Sequence, residues 1–376
     1  MKLTSRIART VAVAAALGSA APAAAQERSH ITHNSETRII DDNGSRRLEI
    51  RSSGAVEFND AGDWVTAVPA GGHLTIEERG PGSDRRIEFR PGDRGPRVSY
   101  FVDGRERALD ASGRAWAQRL VLHAVRESGL GAERRVARIR ARGGVDAVLS
   151  EIGELGSDVS RRYYYRALLG GQPLSDREFS RVMDDVGRRM RSDAETRLVL
   201  TYAVERAGDG ALAALLRAAE GMRSDLETRL VLNQVSRHHR LADAASREAF
   251  FRAVGGMRSD LERRLVLTAV ADARLAEGAS RDAFFRAVGQ MDSDLERRLV
   301  LSRVLRGEAP EATVLAAIHS AAQMNSDLEK RLVLTRVPSA HLARPRIAAA
   351  YRRVAEAMRS DAERRLALRR LDERRR

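Results

Sequence analysis

The chain has 376 residues, 43% of them apolar and 4% aromatic, and its 66 basic and 52 acidic side chains leave a formal charge of +14. The apolar fraction supports a buried core and excludes a wholly disordered chain, while the length suggests two or three domains. The absence of cysteine excludes disulfides, and all basic residues except Lys2 and Lys330 are arginine.

The first 25 residues have the pattern of a secretory signal peptide. Lys2, Arg6 and Arg9 precede a short alanine- and valine-rich stretch, residues 10–17, and small residues lead up to Ala25. The pattern predicts cleavage near Ala25 and a periplasmic or secreted protein. An uncleaved anchor is the alternative, but the run is shorter than the roughly 20 apolar residues that a span needs. We expect no transmembrane span after cleavage.

A small β domain is predicted over residues 37–107, after a polar lead-in over residues 26–36. Between glycine-containing turns, apolar and polar residues alternate with the period of two that is typical of half-buried strands. The alternating stretches are residues 47–51, 74–77, 86–89 and 98–101. An antiparallel meander is the simplest arrangement, and a few rungs of a β-solenoid through Ile50, Val56 and Ile76 are the alternative.

Residues 108–154 form a predicted helical connector, because apolar residues now recur at helical spacing. A basic cluster lies on one short helix of this connector, formed by Arg134, Arg135, Arg138, Arg140 and Arg142. The cluster has two interpretations. It is a contact surface, or it is an ordinary exposed face above buried Val136 and Ile139.

An internal repeat dominates residues 155–376. The segment Met190–Leu200, with the sequence MRSDAETRLVL, recurs with small changes from Met222, Met257, Met291, Met324 and Met358, at intervals of 32 to 35 residues. A weaker copy begins at Leu155. Repeats of this length are typical of stacked helix pairs, because one pair alone cannot bury its apolar faces. The sequence therefore predicts an α+β protein, a small antiparallel β domain followed by an α-solenoid of six or seven helix pairs.

The repeated signature resembles a helix-start device more than an active site. In Ser192-Asp-Ala-Glu195, the serine can cap the helix and the glutamate can reach back to the serine amide, as in a capping box. The aspartate favours the positive helix end and stands four residues before an arginine, which predicts a local pair such as Asp193 with Arg197. The same spacing recurs in the five later copies.

A second helix is predicted after each signature. Ser175 and Glu178 form another capping box, Ser246 and Ser280 are the expected caps of two near-identical helices, and Pro310 suits a helix start. Phe250, Phe251, Phe284 and Phe285 recur at helical positions and are interpreted as core residues.

No recognisable catalytic or metal-binding motif is present. The chain lacks His-Glu-x-x-His, Gly-x-Ser-x-Gly, a phosphate-binding loop and an acidic calcium loop. The adjacent His238 and His239 point about 100° apart on a helix and suit a solvated turn better than a shared metal. Asp184 and Asp185 are interpreted as a solvated acidic face. We therefore predict no catalytic residue, no metal and no cofactor.

Most of the basic excess lies near the carboxyl terminus. Residues 324–376 hold 15 basic and 7 acidic side chains, a net charge of +8. One interpretation is contact with an anionic surface, such as lipid head groups or an acidic protein. The other is a polar end cap that keeps the solenoid soluble. Nucleic acid is not expected, because no aromatic residues interleave the basic cluster. The candidate anion-contact residues are Arg352, Arg353, Arg369, Arg370, Arg374, Arg375 and Arg376.

The chain resembles a bacterial extracytoplasmic region at four segments and in its Ser-Asp helix repeats. The segments are residues 76–79, 85–88, 102–107 and 110–116. The similar region follows the membrane peptidase domain of some antirepressor-type, beta-lactam-sensing zinc metallopeptidases, and also occurs as stand-alone exported proteins. The peptidase motif and the membrane helices of that family have no counterpart here. The resemblance implies a sensory or interaction module without the enzyme.

Three functions are consistent with the sequence. The first is non-enzymatic binding of a protein or envelope component by the helical repeats. The second is an accessory role in envelope-stress or antibiotic sensing, which the resemblance implies. The third is an unrecognised periplasmic hydrolase. The sequence does not indicate the oligomeric state.

Overall fold

The computed structural model describes the backbone of residues 27–33 and 36–42, and the backbone and side chains of residues 46–271, 278–306 and 309–372. The predicted signal peptide lies outside the described residues. The chain divides into two compact units, residues 1–59 with 63–121 and residues 60–62 with 122–376. Among the described helices, none has an apolar stretch long enough for a bilayer span.

The first unit is built on an antiparallel sheet. Its strands are β1 (Glu27–His33), β2 (Glu36–Asp42), β3 (Arg47–Ser53), β4 (Glu57–Phe58), β5 (Val65–Ala67), β6 (His73–Arg79), β7 (Arg85–Arg90), β8 (Arg97–Val102) and β9 (Arg105–Arg107). Seven strands pair in the order β1-β2-β3-β6-β7-β8-β9, and β4 pairs with β5. All pairings are antiparallel, so the predicted meander is confirmed and the β-solenoid alternative is wrong. Strand β1 lies within the expected polar lead-in.

The register of the sheet aligns one buried row across four strands. Ile50, Ile76, Ile87 and Tyr100 lie directly opposite one another on β3, β6, β7 and β8, and all are buried. The Trp116 ring lies 5.5 Å from the Tyr100 ring, and its indole nitrogen donates to Glu78 at 2.8 Å. A helix residue thus covers part of the apolar sheet face and also satisfies its own polar atom.

The helices are α1 (Ala111–Ser128), α2 (Ala132–Gly153), α3 (Asp158–Gly170), α4 (Asp176–Arg189), α5 (Asp193–Val204), α6 (Leu212–Glu220), α7 (Asp225–His238), α8 (Ala244–Gly256), α9 (Asp260–Val270), α10 (Gly278–Gly289), α11 (Asp294–Val304), α12 (Glu311–Ala322), α13 (Asp327–Leu334), α14 (Ser339–Leu342), α15 (Pro345–Glu356) and α16 (Asp361–Asp372). Helix α2 is broken at Gly143 and Gly144, where Gly144 has a φ of 67°. Only glycine adopts such a backbone without strain, so the predicted connector bends at this point.

Stacked helix pairs make up the rest of the second unit. The helices that begin with the Ser-Asp signature, here called first helices, are α3, α5, α7, α9, α11, α13 and α16. The helices between them, here called second helices, are α4, α6, α8, α10, α12 and α15. Each first helix packs against the first helices before and after it, and second helices pack in the same way. One first helix and the second helix that follows it form a layer, and the predicted solenoid of stacked pairs is confirmed.

Buried aliphatic and aromatic side chains form one continuous core from Ala132 to Leu371. Phe250 and Phe284 are fully buried, and Phe251 packs edge-on against Phe284 with ring centres 6.3 Å apart. The interpretation of these phenylalanines as core residues is therefore confirmed.

The predicted serine caps of the first helices are confirmed. Each serine hydroxyl accepts from the amide of the residue three positions later, as Ser259 does from Glu262 at 3.3 Å. The caps of two second helices were expected at Ser246 and Ser280, and this is wrong. Asp243 caps α8 at 2.8 Å, while Ser246 and Ser280 lie buried inside their helices. An aspartate three residues earlier offers a stronger, charged acceptor for the same orphan amides.

Candidate functional site

The aspartate that opens each first helix joins its layer to the next. Its Oδ2 atom accepts from two consecutive backbone amides of the next layer, that of the cap serine and that of the preceding residue, at 2.5–3.0 Å. The six aspartates are Asp158, Asp193, Asp225, Asp260, Asp294 and Asp327. The Ser360 amide, together with the Lys330 ammonium, holds the pKa of Asp327 below its ordinary value.

An arginine and a glutamate make a second link between layers. Each arginine donates through Nε to Oε2 of the glutamate at the third helical position of the next layer. The pairs are Arg162–Glu195, Arg197–Glu227, Arg229–Glu262, Arg264–Glu296, Arg298–Glu329 and Arg331–Glu363. These side chains are only 15–27% exposed, so water screens the pairs less than it would on an open surface.

Two details of the expected helix-start device are therefore wrong. Arg197 bonds Glu227 of the next layer instead of Asp193 of its own helix. The Ser192 amide donates to Asp158 of the preceding layer, so Glu195 does not close a capping box on it. The complete box forms in α4, at Ser175 and Glu178. Within one helix, Asp193 was the expected partner of Arg197, and Glu195 that of the Ser192 amide. The stacked layers instead place Glu227 and Asp158, each about 30 residues away in the chain, in bonding contact with these groups.

Exposed leucines mark the outer face of the first helices. Within the part of the chain that the structure describes, the large apolar residues that remain exposed are Leu226 (47%), Leu230 (36%), Leu261 (47%), Leu295 (47%), Leu328 (46%) and Leu366 (44%). Four of them occupy the second helical position of four consecutive layers. These six residues are here called the leucine row.

Helical geometry explains the position of the row. At about 100° per residue, Leu226 and Leu230 lie together on α7, opposite the buried Val231 and Val235. Arg229 lies to one side of them and Glu227 to the other, each bonded to a neighbouring layer. The row is therefore an apolar strip in which neutral ion pairs separate successive leucines.

A basic groove of about 930 Å³ lies near the carboxyl end of the stack, on α12, α14, α15 and α16. Its basic residues are His319, Arg346, Arg352 and Arg353, and its apolar residues include Leu315, Leu342 and Leu371. None of the described residues that line it is acidic. The three arginines form no ion pair within the described residues. Such a lining suits an anionic group attached to an apolar body.

The predicted anion-contact residues are only partly brought together. Arg352 and Arg353 line this groove, whereas Arg369 and Arg370 lie on α16 outside its lining. Arg374, Arg375 and Arg376 lie outside the described residues. Sequence reasoning missed Arg346 and His319. Arg346 stands six and seven residues before the predicted pair, a spacing that places all three on one side of a helix.

The basic cluster of the connector differs in exposure from residue to residue: Arg134 and Arg142 are exposed, whereas Arg138 and Arg140 are half-buried. Arg135 is buried and donates to Glu151 at 2.9 Å. Burial alone would raise the pKa of Glu151, but hydrogen bonds from Arg126 and Arg135 outweigh it and hold that pKa below its ordinary value. Arg140 donates to the backbone oxygens of Gln172 and Pro173. These arginines are occupied by contacts within their own unit.

One residue of the acidic pair and one of the histidine pair differ from expectation, whereas Asp184 and His238 are exposed as expected. Asp185 is buried and accepts from the Tyr165 hydroxyl at 2.8 Å and from Arg189 at 2.9 Å, so its interpretation as a solvated face is wrong. Burial, with the Asp185 charge, raises the pKa of Tyr165. His239 is half-buried and its Nε2 lies 2.8 Å from the Val204 carbonyl oxygen of the preceding layer.

Among the described residues, no group of three or more histidines, aspartates or glutamates is placed to hold a metal ion. None of the protein families, curated proteins or solved structures compared with the chain matches it.

Proposed function

We propose that the chain is an exported, non-enzymatic binding protein whose first-helix face engages a protein partner. The leucine row is the single observation that carries this proposal. Leucine is usually buried, and contiguous exposed apolar residues mark interaction surfaces. Here they recur at one position in four consecutive layers.

The row supports an apolar protein partner over a polyanion. Arginine and glutamate alternate between the leucines and bond each other, so the strip carries no net charge of its own. An ion pair that is already formed also needs little rearrangement when a partner covers it. A lipid head group or nucleic acid would find no surplus positive charge here.

The spacing of the row fits an amphipathic helix laid across the layers. Packed helices lie about 8–10 Å apart, so successive leucines recur at about that distance. A partner helix with apolar residues every seven positions repeats at about 10.5 Å. Leu226 and Leu230 stand one turn apart and widen the strip to two residues, as the seam of such a helix requires.

Export is supported by the amino-terminal charge and apolar pattern. The absence of a catalytic motif from the sequence favours binding over hydrolysis. The repeat architecture supports it too, because stacked layers commonly present extended binding surfaces.

The test compares the wild-type chain with the leucine-row variant, Leu226→Glu, Leu261→Glu, Leu295→Glu and Leu328→Glu. Each is used as bait in extracts of native cells. A recovered protein is then purified, and its affinity for both baits is measured by calorimetry. We expect the variant to bind at least about a hundredfold more weakly, because each leucine that is not buried forfeits about 1 kcal/mol or more.

The matched control adds the same four charges to exposed alanines of second helices, as Ala245→Glu, Ala279→Glu, Ala312→Glu and Ala322→Glu. It should bind like the wild type. Equal affinity of all three chains for every recovered protein would refute the proposal. Circular dichroism melts check that both variants remain folded.

A further inference from the structure

A pocket of about 360 Å³ lies between α2, α3 and α5, and it is here called the Tyr202 pocket. It is lined by Ala137 and Ala141 of α2, by Ala167 and Gly170 of α3, and by Tyr202 of α5. A β-carbon added at Gly170 would lie 2.4 Å from the Tyr202 hydroxyl oxygen, so this glycine leaves space for the ring. The volume falls within the range of about 300–1,000 Å³ that is typical of small-molecule sites.

Two arginines also line the Tyr202 pocket. Arg140 of α2 is half-buried, and its guanidinium donates to the carbonyl oxygens of Gln172 at 2.6 Å and Pro173 at 3.1 Å. Arg166 of α3 is exposed, and its guanidinium carbon lies 4.7 Å from the centre of the Tyr202 ring. No carboxylate of the described residues pairs with either arginine. Because a guanidinium has five donors, both arginines can still bind a carboxylate.

A carboxylate lines the same pocket at a distance from Arg140. Glu133 of α2 is exposed, and it is the acidic member of the described lining. It forms no ion pair within the part of the chain that the structure describes. Seven residues separate Glu133 from Arg140, so both lie on one side of α2, with their Cα atoms about 10.5 Å apart along the helix axis. The pocket therefore holds a negative group two helical turns away from a positive one.

The separation of these charges indicates the class of ligand. A simple anion would bind the arginines but would be repelled by Glu133, whereas a zwitterion matches both signs of charge. Each residue of an extended chain spans about 3.3–3.6 Å, so a single amino acid is too short to reach both groups. A peptide of three residues spans about 10 Å and reaches both. The alanine and glycine lining leaves room for small side chains.

We propose that the Tyr202 pocket binds a short peptide with two free ends, about three residues long and with small side chains. The ammonium group of the peptide binds Glu133, and its carboxylate binds Arg140 and Arg166. Its methyl groups cover Ala137 and Ala167. No residue of the leucine row lines this pocket, so the inference does not depend on the proposed function.

Isothermal titration calorimetry of the full chain with trialanine tests the proposal. We expect a dissociation constant of about 1 mM or lower. N-acetyltrialanine lacks the ammonium group and trialanine amide lacks the carboxylate. Each should bind about tenfold or more weakly than trialanine, because hydrogen bonds to charged groups contribute at least that much. Butyrate, which has a carboxylate and an apolar chain but no ammonium group, should bind about tenfold or more weakly too.

Substitutions assign each end of the peptide. Glu133→Gln should lower the affinity for trialanine by about tenfold and should bind N-acetyltrialanine as tightly as trialanine. Arg166→Gln should reduce the preference for trialanine over its amide by about fivefold or more. The matched controls are Glu356→Gln and Arg258→Gln, at exposed residues outside the pocket. Both controls should bind all the ligands as the wild type does.

A substitution that fills the pocket tests its location. Ala137→Phe should weaken trialanine binding by about a hundredfold or more, whereas Ala245→Phe, at an exposed alanine of α8, should not change it. All the substituted residues are exposed, so the variants should fold. The leucine-row variant should bind trialanine like the wild type. A failure of this site and a failure of the proposed function therefore give different results.

The proposal is overturned if trialanine does not bind at about 10 mM, a concentration that detects even weak complexes. Equally tight binding of the acetylated and amidated peptides also overturns it, and neither result depends on a variant. Butyrate binding as tight as that of trialanine would indicate a simple anion site and would exclude a peptide site. Unchanged trialanine binding by Ala137→Phe would place the binding site elsewhere and count equally against the proposal.

Discussion

Three of the six linking aspartates, Asp158, Asp260 and Asp327, accept hydrogen bonds on both carboxylate oxygens. In Asp260, Oδ1 accepts from Arg263 of its own helix at 3.0 Å, and Oδ2 accepts from the amides of Asp292 and Ser293 at 2.8 and 2.7 Å. The amides belong to a helix start, which has no internal partner for them. One side chain thus anchors its own helix and satisfies the next one.

Replacement of Asp260 by alanine should lower the free energy of unfolding by about 2 kcal/mol more than Asp361→Ala does. Both changes remove a first-turn charge and an arginine contact, but only Asp260→Ala also removes two amide bonds and leaves the buried Arg263 without its carboxylate. Urea unfolding followed by circular dichroism measures the difference. Hydrogen exchange in the peptide covering residues 290–295 should rise only in Asp260→Ala. Equal destabilisation, with no change in exchange, would contradict this role of the aspartate.

The local sequence predicts the contacts within each first helix but not the contacts between layers. It found the serine caps and the charged first turn, because capping depends on residues three positions apart. It assigned Arg197 to Asp193, because that was the partner within reach along the chain. The real partner, Glu227, comes within reach only after the layers stack.

At the scale of the element, two buried arginines donate hydrogen bonds to the carbonyl groups at the carboxyl ends of two second helices, α8 and α10. Arg263 is buried and donates to the carbonyl oxygens of Val254 at 3.3 Å and Gly255 at 3.2 Å, at the end of α8. It also donates to the Gln290 carbonyl at 2.7 Å, after α10. Helix ends leave carbonyls without partners, and a guanidinium with five donors can satisfy several at once.

The substitution Arg263→Met should destabilise the chain by about 3 kcal/mol, because it leaves several carbonyls and Asp260 without a donor in a buried site. Arg258→Met is the control. Arg258 is exposed, so we expect its loss to change the free energy of unfolding by no more than about 0.5 kcal/mol. Urea titration measures the free energy of unfolding of both variants. A similarly small change in each would show that the hydrogen bonds from Arg263 to the helix-end carbonyls do not stabilise the chain.

No local sequence pattern predicts the burial of these arginines. Arg263 follows the glutamate of the signature, and the equivalent positions hold Thr196, Thr228, Arg297 and Lys330. Thr196 instead bonds the Ser192 carbonyl of its own helix at 2.8 Å. Threonine occupies this position in two layers and a basic residue in the following four, which is a pattern typical of an exposed site. Only the fold places the end of another helix beside it.

At the scale of the whole molecule, each layer of the second unit is linked mainly to its two neighbours. Both inter-layer links repeat at six junctions, and the core is continuous along the stack. In such an array, stability is approximately a sum of layer terms and nearest-neighbour terms. An inner layer is stabilised from both sides and the last described layer from one.

Hydrogen exchange should therefore be faster in α16 than in α9, by about tenfold or more, which corresponds to about 1.4 kcal/mol of opening free energy. Mass spectrometry of peptides from residues 361–372 and 260–270 measures this. Equal protection of the two helices would show that the stack opens as one unit.

The sequence by itself determined the antiparallel β domain, the repeat length, the serine caps and the solenoid, because all of these depend on periodicity and on residues close together in the chain. The sensing role implied by the resemblance stays a prediction. Only the tertiary structure decided the partners of Asp193, Arg197 and Asp185, the burial of Arg135 and Arg263, and the exposure of the leucine row. Stacking brings residues about 33 positions apart into contact. It therefore determines which of several similar charged side chains form a pair, and the spacing of residues along one helix does not contain that information.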